Sequence, residues 1–507
     1  MKKLLFAILL ILYTCATVSA AEQYTMSYRV VPDMENHYLN VELTMKWAEQ
    51  QPSAAVMLKM PVWAPGYYIV VDYPKYVTDF SVSDAEGKPV KWQKEGKSGW
   101  QFVPVTPTMT VRYRIYANMH SVAECYVNDT EAFIAPNGVY MYVDGDKQHA
   151  VSTTYVMPNG WQQASTSLDP VGENKGIERT FAAPDFDVLY DSPVLLGNHM
   201  VHKFTHEGHD YEMAILTPEG YDESGFEDDF KKMVSANTKL IGDVPYKRYC
   251  LIHLGAGGGG LEHLSSQACY TSGTYRFNSR NSYLRHLSFV SHEYFHLYNV
   301  KSIRPYELGP FDYEHEVFTP LLWVSEGFTC YYETKNLLRA GIIDRDYILD
   351  DLASTIKTVE TAEGHKHMSL RQSSYDIWLN FFNNAGNHRD VTISYYDKGP
   401  VFGLFFDIEI ARLSGGKHTL DDLMRLLYYR YYKELGRGFT EEKFWSAADE
   451  VAGGSLSHLR HYVDSTDDID YDKLFSHAGL YLDREEWKIR QVKKPTASQK
   501  KLLEVIL

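Results

Sequence analysis

The chain has 507 residues, of which 66 are acidic and 50 are basic, so its net charge is −16 at pH 7. An acidic chain repels the phosphates of nucleic acids, and we therefore expect no nucleic-acid partner. The length predicts several domains and a core that can form without disulfides. The cysteines after residue 20 show no CxxC spacing, which argues against a cysteine zinc site and leaves disulfide pairing open: Cys125, Cys250, Cys269 and Cys330.

The N-terminus has the pattern of a secretory signal peptide. Two lysines precede the apolar run Leu4–Leu12, and Val18-Ser19-Ala20 supplies small residues for cleavage. We expect removal of residues 1–20 and a periplasmic or secreted protein. Lipidation at Cys15 is disfavoured because a bulky tyrosine, Tyr13, stands close before it. The apolar run is too short to span a bilayer, and no later segment is apolar enough, so we expect no stable membrane insertion.

Residues 21–200 predict an all-β domain. They are rich in Val, Tyr, Thr and Trp, and apolar and polar residues alternate in runs such as Tyr38–Met45 and Met109–Tyr116. Glycine and proline separate these runs, as expected for strands joined by turns.

Beyond residue 200 the pattern changes from strands to helices. Tyr249–Leu254 predicts a strand, and the spacing of apolar residues predicts helices over Asp222–Ile241, Tyr283–Val300, Leu321–Arg339, Asp346–Thr361, Pro400–Leu413 and Leu420–Glu434. The Lys-rich end of the chain, 491–507, is expected to form a short tail.

The motif HExxH occupies residues 292–296. On a helix, His292 and His296 lie on one face, so both imidazoles can bind one zinc ion. Glu293 would then point at the water on that ion. The alternative is a buried helix in which both histidines make only structural hydrogen bonds.

A catalytic zinc site needs a third protein ligand and an open position. Glu326 lies in the apolar stretch 321–329, which begins a predicted helix that could pack against the HExxH helix. Glu316 is the alternative, but the residues around it show no helical pattern. We expect Glu326 to be the ligand, with one Zn²⁺ ion per chain.

A run of glycines, 257–260, precedes Glu262. No Gly-Lys-Ser/Thr sequence follows, which argues against a phosphate-binding loop. Small residues suit a strand edge that the backbone of a substrate approaches closely, so we expect Gly259 and Gly260 to contact substrate. The alternative for Glu262 is a solvated carboxylate at the end of a strand.

Five stretches occur in a characteristic order: PVWAPGYYIVVDYPKYVTDF (61–80), GGGGLEH (257–263), HEYFHLYNVKSIRP (292–305), LLWVSEGFTCYYE (321–333) and YYDKGPVFGLFFDIEIARLSGGKHTLDDLMR (395–425). Together they resemble peptidase family M61, the glycyl aminopeptidase relatives within the thermolysin-like (gluzincin) clan. The resemblance extends from about residue 25 to about residue 485, and five ordered stretches are far more specific than HExxH alone.

The resemblance implies a role for each matching residue. His292, His296 and Glu326 match the zinc ligands, and Glu293 matches the general base. Tyr396 matches the tyrosine that stabilises the oxyanion, with its neighbour Tyr395 as the weaker candidate. Glu262 matches a glutamate that holds the free α-amine of the substrate in the wider aminopeptidase group. Relatives commonly carry a PDZ domain after the catalytic region, and we expect none in 491–507.

We therefore predict an α+β multidomain protein. Its parts are an N-terminal β-sandwich-like domain (21–200), a thermolysin-like zinc metallopeptidase domain (201–365), a helical C-terminal domain (366–490) and the tail. The predicted function is that of an exported zinc aminopeptidase that removes small N-terminal residues, Gly or Ala by resemblance, from peptides. Bulky pocket residues such as Tyr270 or Phe328 could enforce that preference. The alternatives are a zinc endopeptidase and a catalytically inactive peptide-binding protein on the same fold.

Overall fold

A computed structural model describes residues 24–216, 223–271, 279–380 and 388–507. The predicted signal peptide, 1–20, lies outside the described residues. In the described ranges, no helix combines the length and the apolar composition needed to cross a bilayer. The four cysteines in these ranges are unpaired, and three of them are buried.

The N-terminal part is built from β-strands. Its largest sheet has eight strands in the order β14-β15-β12-β1-β2-β8-β4-β5, and two four-stranded sheets have the orders β13-β16-β10-β9 and β11-β3-β7-β6. The strands are β1 Tyr24–Asp33, β2 Tyr38–Trp47, β3 Val56–Lys59, β4 Val77–Ser83, β5 Pro89–Val90, β6 Trp92–Glu95, β7 Gly99–Phe102, β8 Thr108–Tyr116, β9 Tyr126–Val127, β10 Glu131–Ile134, β11 Tyr142–Val143, β12 Val151–Val156, β13 Gln163–Thr166, β14 Asp169–Pro170, β15 Glu178–Ala183 and β16 Val194–Gly197.

The alternating sequence pattern explains how this part forms its core. Every second residue of β2 is buried, because successive side chains of a strand point to opposite faces. The same alternation occurs in β8. The inward side chains, such as Leu43 and Val111, join one large apolar core. The predicted β-rich N-terminal domain within an α+β multidomain fold is thereby confirmed.

A further sheet of five strands follows, in the order β17-β18-β19-β21-β20. Its strands are β17 Met200–His206, β18 His209–Ile215, β19 Arg248–Ala256, β20 Gly260–Glu262 and β21 Ser266–Thr271. Strands β18, β19 and β21 are parallel, whereas β20 pairs with β21 in the antiparallel sense. The glycine-rich segment thus ends in an edge strand, as the sequence predicted.

The five-stranded sheet is covered on both faces. In β19, Tyr249 and Leu251 pack into the core formed with the helices, while Cys250 and Ile252 pack into the core of the N-terminal strands. A sheet that is covered on both faces needs apolar residues at successive positions, which is what Tyr249–Leu254 provides.

The helical part begins after β18. Its helices are α2 Glu223–Ile241, α3 Arg280–Phe295, α4 Phe328–Arg339, α5 Arg345–Glu360, α6 Leu370–Tyr375, α7 Ile377–Asn380, α8 His388–Val391, α9 Tyr395–Leu413, α10 Leu420–Leu427, α11 Glu441–Ala452, α12 Ser457–Asp464, α13 Tyr471–Ser476 and α14 Ala497–Ile506, after a short helix, α1 Phe186–Tyr190, in the N-terminal part. Two π-helical segments, Trp323–Gly327 and Tyr428–Glu434, precede α4 and follow α10. A hairpin of β22 Leu480–Asp483 and β23 Lys488–Gln491 precedes α14.

The helices share one apolar core. Side chains from β18 through α14 belong to it, so residues of the predicted ranges 201–365 and 366–490 are packed together. The segment expected to be a tail contributes α14, whose Leu502, Leu503 and Ile506 are buried. The division into separate domains at residue 365 stays a prediction.

Two glycines allow two backbone segments to approach closely in this core. A Cβ atom on Gly327 would lie 2.5 Å from the Cα of Gly399, and a Cβ atom on Gly399 would lie 2.6 Å from the Cα of Gly327. The backbone after Glu326 therefore touches the first turns of α9, which begins with Tyr395 and Tyr396.

Candidate active site

The HExxH residues lie at the C-terminal end of α3. Ser279 caps the helix by accepting a hydrogen bond from the N–H of Ser282. The helix predicted over Tyr283–Val300 ends earlier, at Phe295. The chain turns after this residue, and the ring of His296 makes a hydrogen bond to the carbonyl oxygen of Asn299 within the turn. His292 and His296 still share one face, and their Nε2 atoms are 3.0 Å apart.

Glu326 faces these two nitrogens. Its Oε2 atom lies 3.1 Å from Nε2 of His296 and 3.7 Å from Nε2 of His292, and its side chain is 2% exposed. Burial opposes the ionisation of Glu326, but His296 and the hydrogen bonds of both histidines hold its pKa at about 2. Glu316, the alternative ligand, is exposed and belongs to none of the candidate metal-binding groups found among the described residues.

The predicted helix Leu321–Arg339 begins with the π-helical segment rather than with regular α-helical turns. Asn299, which follows the HExxH helix, donates from its side-chain amide to the carbonyl oxygens of Val324 and Ser325 at 2.8 and 2.9 Å. These bonds connect the end of α3 to the segment that carries Glu326. Single π-turns within helices often mark functional sites.

Each histidine is oriented through its other ring nitrogen. Nδ1 of His292 donates to Oε2 of Glu333 at 2.8 Å, and Nδ1 of His296 donates to the carbonyl oxygen of Asn299 at 2.7 Å. In a neutral imidazole whose proton is on Nδ1, the Nε2 atom keeps a lone pair that can bind a metal ion. Two imidazole nitrogens and one carboxylate, with the three ligand atoms within 4.8 Å of one another, suit a zinc ion.

Glu333 was not predicted from the sequence, although the sequence contains a signal for it. Cys330 and Glu333 follow Glu326 by four and seven residues, so a helix places all three on one face. Sγ of Cys330 lies 3.7 Å from Nδ1 of His292. Tyr68 was also not predicted to lie near the site. It is buried, and its pKa is raised mainly by burial and further by the charge of Glu326.

Glu293 lies beside the three candidate ligands. Its carboxylate, the carboxylate of Glu262 and the ring of His296 have atoms within 4.8 Å of one another. Burial raises the pKa of Glu293 to about 7, although His292 and His296 act in the opposite direction. A Cβ atom on Gly260 would overlap the carboxylate of Glu293, so only glycine leaves room at this position.

Glu262 is buried, with 4% of its surface exposed, which excludes the solvated carboxylate considered as an alternative. Its Oε1 atom has no hydrogen-bond partner among the described residues. A Cβ atom on Gly66 of the N-terminal domain would overlap this carboxylate, and Gly66 has a φ of +92°. Gly259 has a φ of +102°, a backbone conformation that glycine adopts without strain.

Tyr396 lies in the first turn of α9, where its N–H donates a hydrogen bond to the hydroxyl oxygen of Ser394. Its ring centroid is 6.4 Å from that of His292. Burial and the charge of Glu326 raise its pKa, so the phenol stays protonated and able to donate. Tyr395 is buried and does not line the cavity at the metal-ligand cluster.

These side chains line one cavity of about 660 Å³. The predicted site residues that line it are Gly259, Gly260, Glu262, His292, Glu293, His296, Glu326 and Tyr396. Residues from the N-terminal domain also line the cavity, namely Gly66, Tyr67, His120, Ser121 and Val122. Tyr270 and Phe328, considered for a small pocket, are buried elsewhere and do not line it.

A helix with HExxH, a carboxylate from the next helix and an adjoining sheet edge together are typical of a metallopeptidase. Residues 27–198 match the family model described as Peptidase M61 N-terminal domain, and residues 285–402 match the one described as M61 glycyl aminopeptidase. The two matches together cover more than half of the chain, and the chain belongs to peptidase family M61. It is a metallopeptidase, and its substrates are peptides.

The fold is shared with a solved structure. The crystal structure of an aminopeptidase N family protein from Idiomarina loihiensis superimposes with a TM-score of 0.84 at 24% sequence identity, covering 90% of this chain and 78% of that one. No curated protein matches the chain. His292, His296, Glu326, Glu333 and Tyr396 lie inside the range matched by the catalytic family model, whereas Glu262 lies between the two matched ranges.

Proposed function

We propose that the chain is a zinc aminopeptidase that removes small N-terminal residues, Gly or Ala, from peptides. The observation that carries the proposal is the buried carboxylate of Glu262, beside Glu293 and His296, with one oxygen free of hydrogen bonds among the described residues. An α-amine has a pKa of roughly 7.7–8.0 and is largely cationic at neutral pH. Glu262 would pair with it and place the first peptide bond at the metal-ligand cluster.

The proposed zinc site consists of His292, His296 and Glu326, with one ion per chain. A zinc ion bound there would polarise the scissile carbonyl group and make a water molecule more acidic. The two histidines are already oriented for binding a metal ion, because both Nδ1 atoms act as hydrogen-bond donors and both Nε2 atoms face Glu326.

The remaining steps use residues of the chain. Glu293 takes the proton of the attacking water as the new carbon–oxygen bond forms. Tyr396 donates a hydrogen bond to the carbonyl oxygen as negative charge develops on it. Glu293 then passes the proton to the amine nitrogen, and the carbon–nitrogen bond breaks. Glu293 is buried beside the metal-ligand cluster, so its carboxylate is placed to accept the proton and to return it.

Support for a small first residue comes from the crowded surroundings of Glu262. Gly66 touches its carboxylate, and Tyr67, His120 and Val122 of the same domain also line the cavity. We expect this wall to leave little space beyond the α-amine of a substrate.

A matched pair of peptides tests the proposal. We expect hydrolysis of a peptide that begins with glycine and no internal cleavage of its N-acetylated form, as followed by mass spectrometry. Glu262→Gln should keep zinc and lose at least ~30-fold in kcat/KM, which corresponds to about 2 kcal/mol. Glu212→Gln is the control, since Glu212 is a buried carboxylate of the same sheet that pairs with Lys203. Internal cleavage of the acetylated peptide at a comparable rate would identify an endopeptidase instead.

We also propose that the enzyme is exported, on the evidence of its N-terminal sequence. The mature protein should begin at Ala21 and should be found in the periplasm or outside the cell. N-terminal sequencing of the fractionated protein provides the test, and an intact Met1 on the active enzyme would contradict export.

A further inference from the structure

The cavity has two ends with different chemistry. Glu262 lies on the His296 side of the candidate metal ligands, within the group that it forms with Glu293 and His296. Glu333 lies on the opposite side, against the other ring nitrogen of His292. Beyond Glu333, the cavity is lined by Arg285, Tyr347 and Asp351.

Asp351 is a carboxylate without a partner at this second end. Both oxygens of Glu333 are engaged, one by the hydroxyl of Ser288 at 3.1 Å and one by His292. The carboxylate of Asp351 makes no hydrogen bond or ion pair with the described residues. Asp351 is exposed in the open cavity, where desolvation by the surrounding protein and the charge of Glu333 raise its pKa to about 7. A cation placed beside Asp351 would relieve this repulsion.

A bound peptide would extend toward Asp351. With its α-amine at Glu262 and its first carbonyl group at the metal ligands, the chain continues past His292. The ring of Phe289 lies beside Gly260 of the edge strand β20, since a Cβ atom on Gly260 would come 2.7 Å from its Cζ atom. A peptide that runs along this edge from Glu262 therefore passes Phe289 next.

The walls at this point suit a long side chain with a charged tip. Phe289 and Tyr347 present aromatic rings to the cavity, and Asp351 lies one helical turn after Tyr347 in α5. The alkyl part of a lysine or arginine can cover apolar rings while its charged group reaches a carboxylate.

We propose that Asp351 determines specificity by selecting peptides with lysine or arginine as the second residue, directly after the cleaved bond. The inference rests on the proposed aminopeptidase function, because the pairing of the α-amine with Glu262 sets the direction of the peptide. Arg285 lies four residues before Phe289 in α3 and, like Asp351, is exposed. If Arg285 rather than Asp351 governed this end of the cavity, peptides with glutamate in second place would be preferred.

The test compares Gly-X-Ala-Ala peptides in which X is lysine, norleucine or glutamate, because norleucine keeps the alkyl chain of lysine and lacks its charge. We expect kcat/KM to be about tenfold higher for lysine than for norleucine. In Asp351→Asn this ratio should fall to near one. Asp350→Asn is the matched control, since Asp350 is the neighbouring carboxylate, faces Lys488 at 3.8 Å and does not line the cavity. A ratio that Asp351→Asn leaves unchanged, or a preference for glutamate, would overturn the proposal.

The outcome can be separated from that of the proposed function. If acetylated peptides are cut internally, the aminopeptidase proposal fails, and the role of Asp351 is tested on the residue directly after each cleaved bond. Enrichment of lysine and arginine at this position that disappears in Asp351→Asn supports the inference. The absence of such enrichment in the parent protein overturns it. If turnover is absent, calorimetry with zinc-loaded Glu293→Gln gives the answer: tighter binding of the lysine peptide supports the inference, and equal binding of the lysine and norleucine peptides overturns it.

Discussion

At the scale of single residues, the two histidines of the site are held by different partners. A carboxylate, Glu333, accepts from His292, whereas a backbone carbonyl group accepts from His296. The HExxH spacing predicts the two imidazoles because the helical period alone places them on one face. Their partners depend on where the chain turns after Phe295 and on how α4 packs, and neither follows from the motif.

The first prediction concerns the third metal ligand. Glu326→Gln should weaken zinc binding by at least ~100-fold, because even the loss of a residue that only hydrogen-bonds to a metal ligand lowers the affinity for the metal by about 10–100-fold. Zinc content after dialysis, measured by mass spectrometry, gives the result. Glu316→Gln should retain a full equivalent, since Glu316 is exposed and outside the cluster. The reverse pattern would show that the ligand was assigned to the wrong glutamate.

The second prediction concerns the tyrosine pair at the start of α9. Tyr396→Phe should lower kcat by about 10²–10³-fold with zinc retained, the usual cost of removing one oxyanion donor. Tyr395→Phe is the control, because Tyr395 does not line the cavity at the metal-ligand cluster. The measurement is steady-state kinetics with a glycine-initiated peptide. If Tyr395→Phe is inactive and Tyr396→Phe is fully active, the donor is Tyr395.

At the scale of elements, the site depends on one helix contact. Glu326 precedes Gly327, Tyr396 precedes Gly399 by three residues, and the two glycines touch backbone to backbone. The sequence predicts a helix in each region from its apolar spacing. The sequence could not predict the π-helical segment, because residues 321–327 fit an ordinary helical period equally well. The π-helical turn also depends on Asn299, whose side-chain amide donates to two of its carbonyl groups.

The third prediction tests this contact. Gly399→Ala should push α9 away from the π-helical segment, since its Cβ atom would lie 2.6 Å from the Cα of Gly327. Overpacking of this kind typically costs about 1–3 kcal/mol. We expect a lower midpoint of urea denaturation and a reduced kcat, because Tyr396 moves relative to Glu326. Gly454→Ala is the control, since its Cβ atom would meet only the Leu413 side chain, at 3.4 Å or more. Equal effects of the two variants would contradict this role.

At the scale of the whole molecule, the N-terminal domain contributes directly to the site. The alternating strands of this domain could be predicted from the sequence, and the resemblance at residues 61–80 placed it in the family. The contact of Gly66 with Glu262 could not be predicted from the sequence, because it joins residues that are far apart in the chain and depends on both cores being formed. The domain thus closes the end of the cavity where the α-amine is proposed to bind.

A buried ionic cluster holds the two parts together beside this contact. Asp191 follows α1 in the N-terminal part, and its Oδ1 atom accepts from Nζ of Lys301 at 2.8 Å and from Nδ1 of His263 at 3.0 Å. Its Oδ2 atom accepts from the N–H of Leu264 at 2.8 Å. His263 is the residue after Glu262, so the cluster fixes the end of β20.

The last prediction concerns the stability of this cluster. Asp191→Asn leaves the charge of Lys301, whose side chain is 6% exposed, without its partner. We expect a loss of about 3 kcal/mol in the free energy of unfolding, at the low end of the range for buried pairs because Asp191 is 22% exposed. Urea denaturation of the metal-free protein at pH 6 measures this loss. Asp467→Asn is the control, because Asp467 pairs with His461 at the exposed surface and should cost less than ~1 kcal/mol.

The loss should depend on pH in a defined direction. Burial opposes the ionisation of Asp191, but the charge of Lys301 and the hydrogen bond from His263 hold its pKa at about 2. A free aspartate has a pKa of about 3.9, so the unfolded chain binds this proton more readily than the folded chain does. The stabilisation is therefore complete above about pH 4 and is lost as the pH falls toward 2. The gap between the parent protein and Asp191→Asn should shrink over this interval, and a gap that stays constant would show that Asp191 acts through packing and not through its charge.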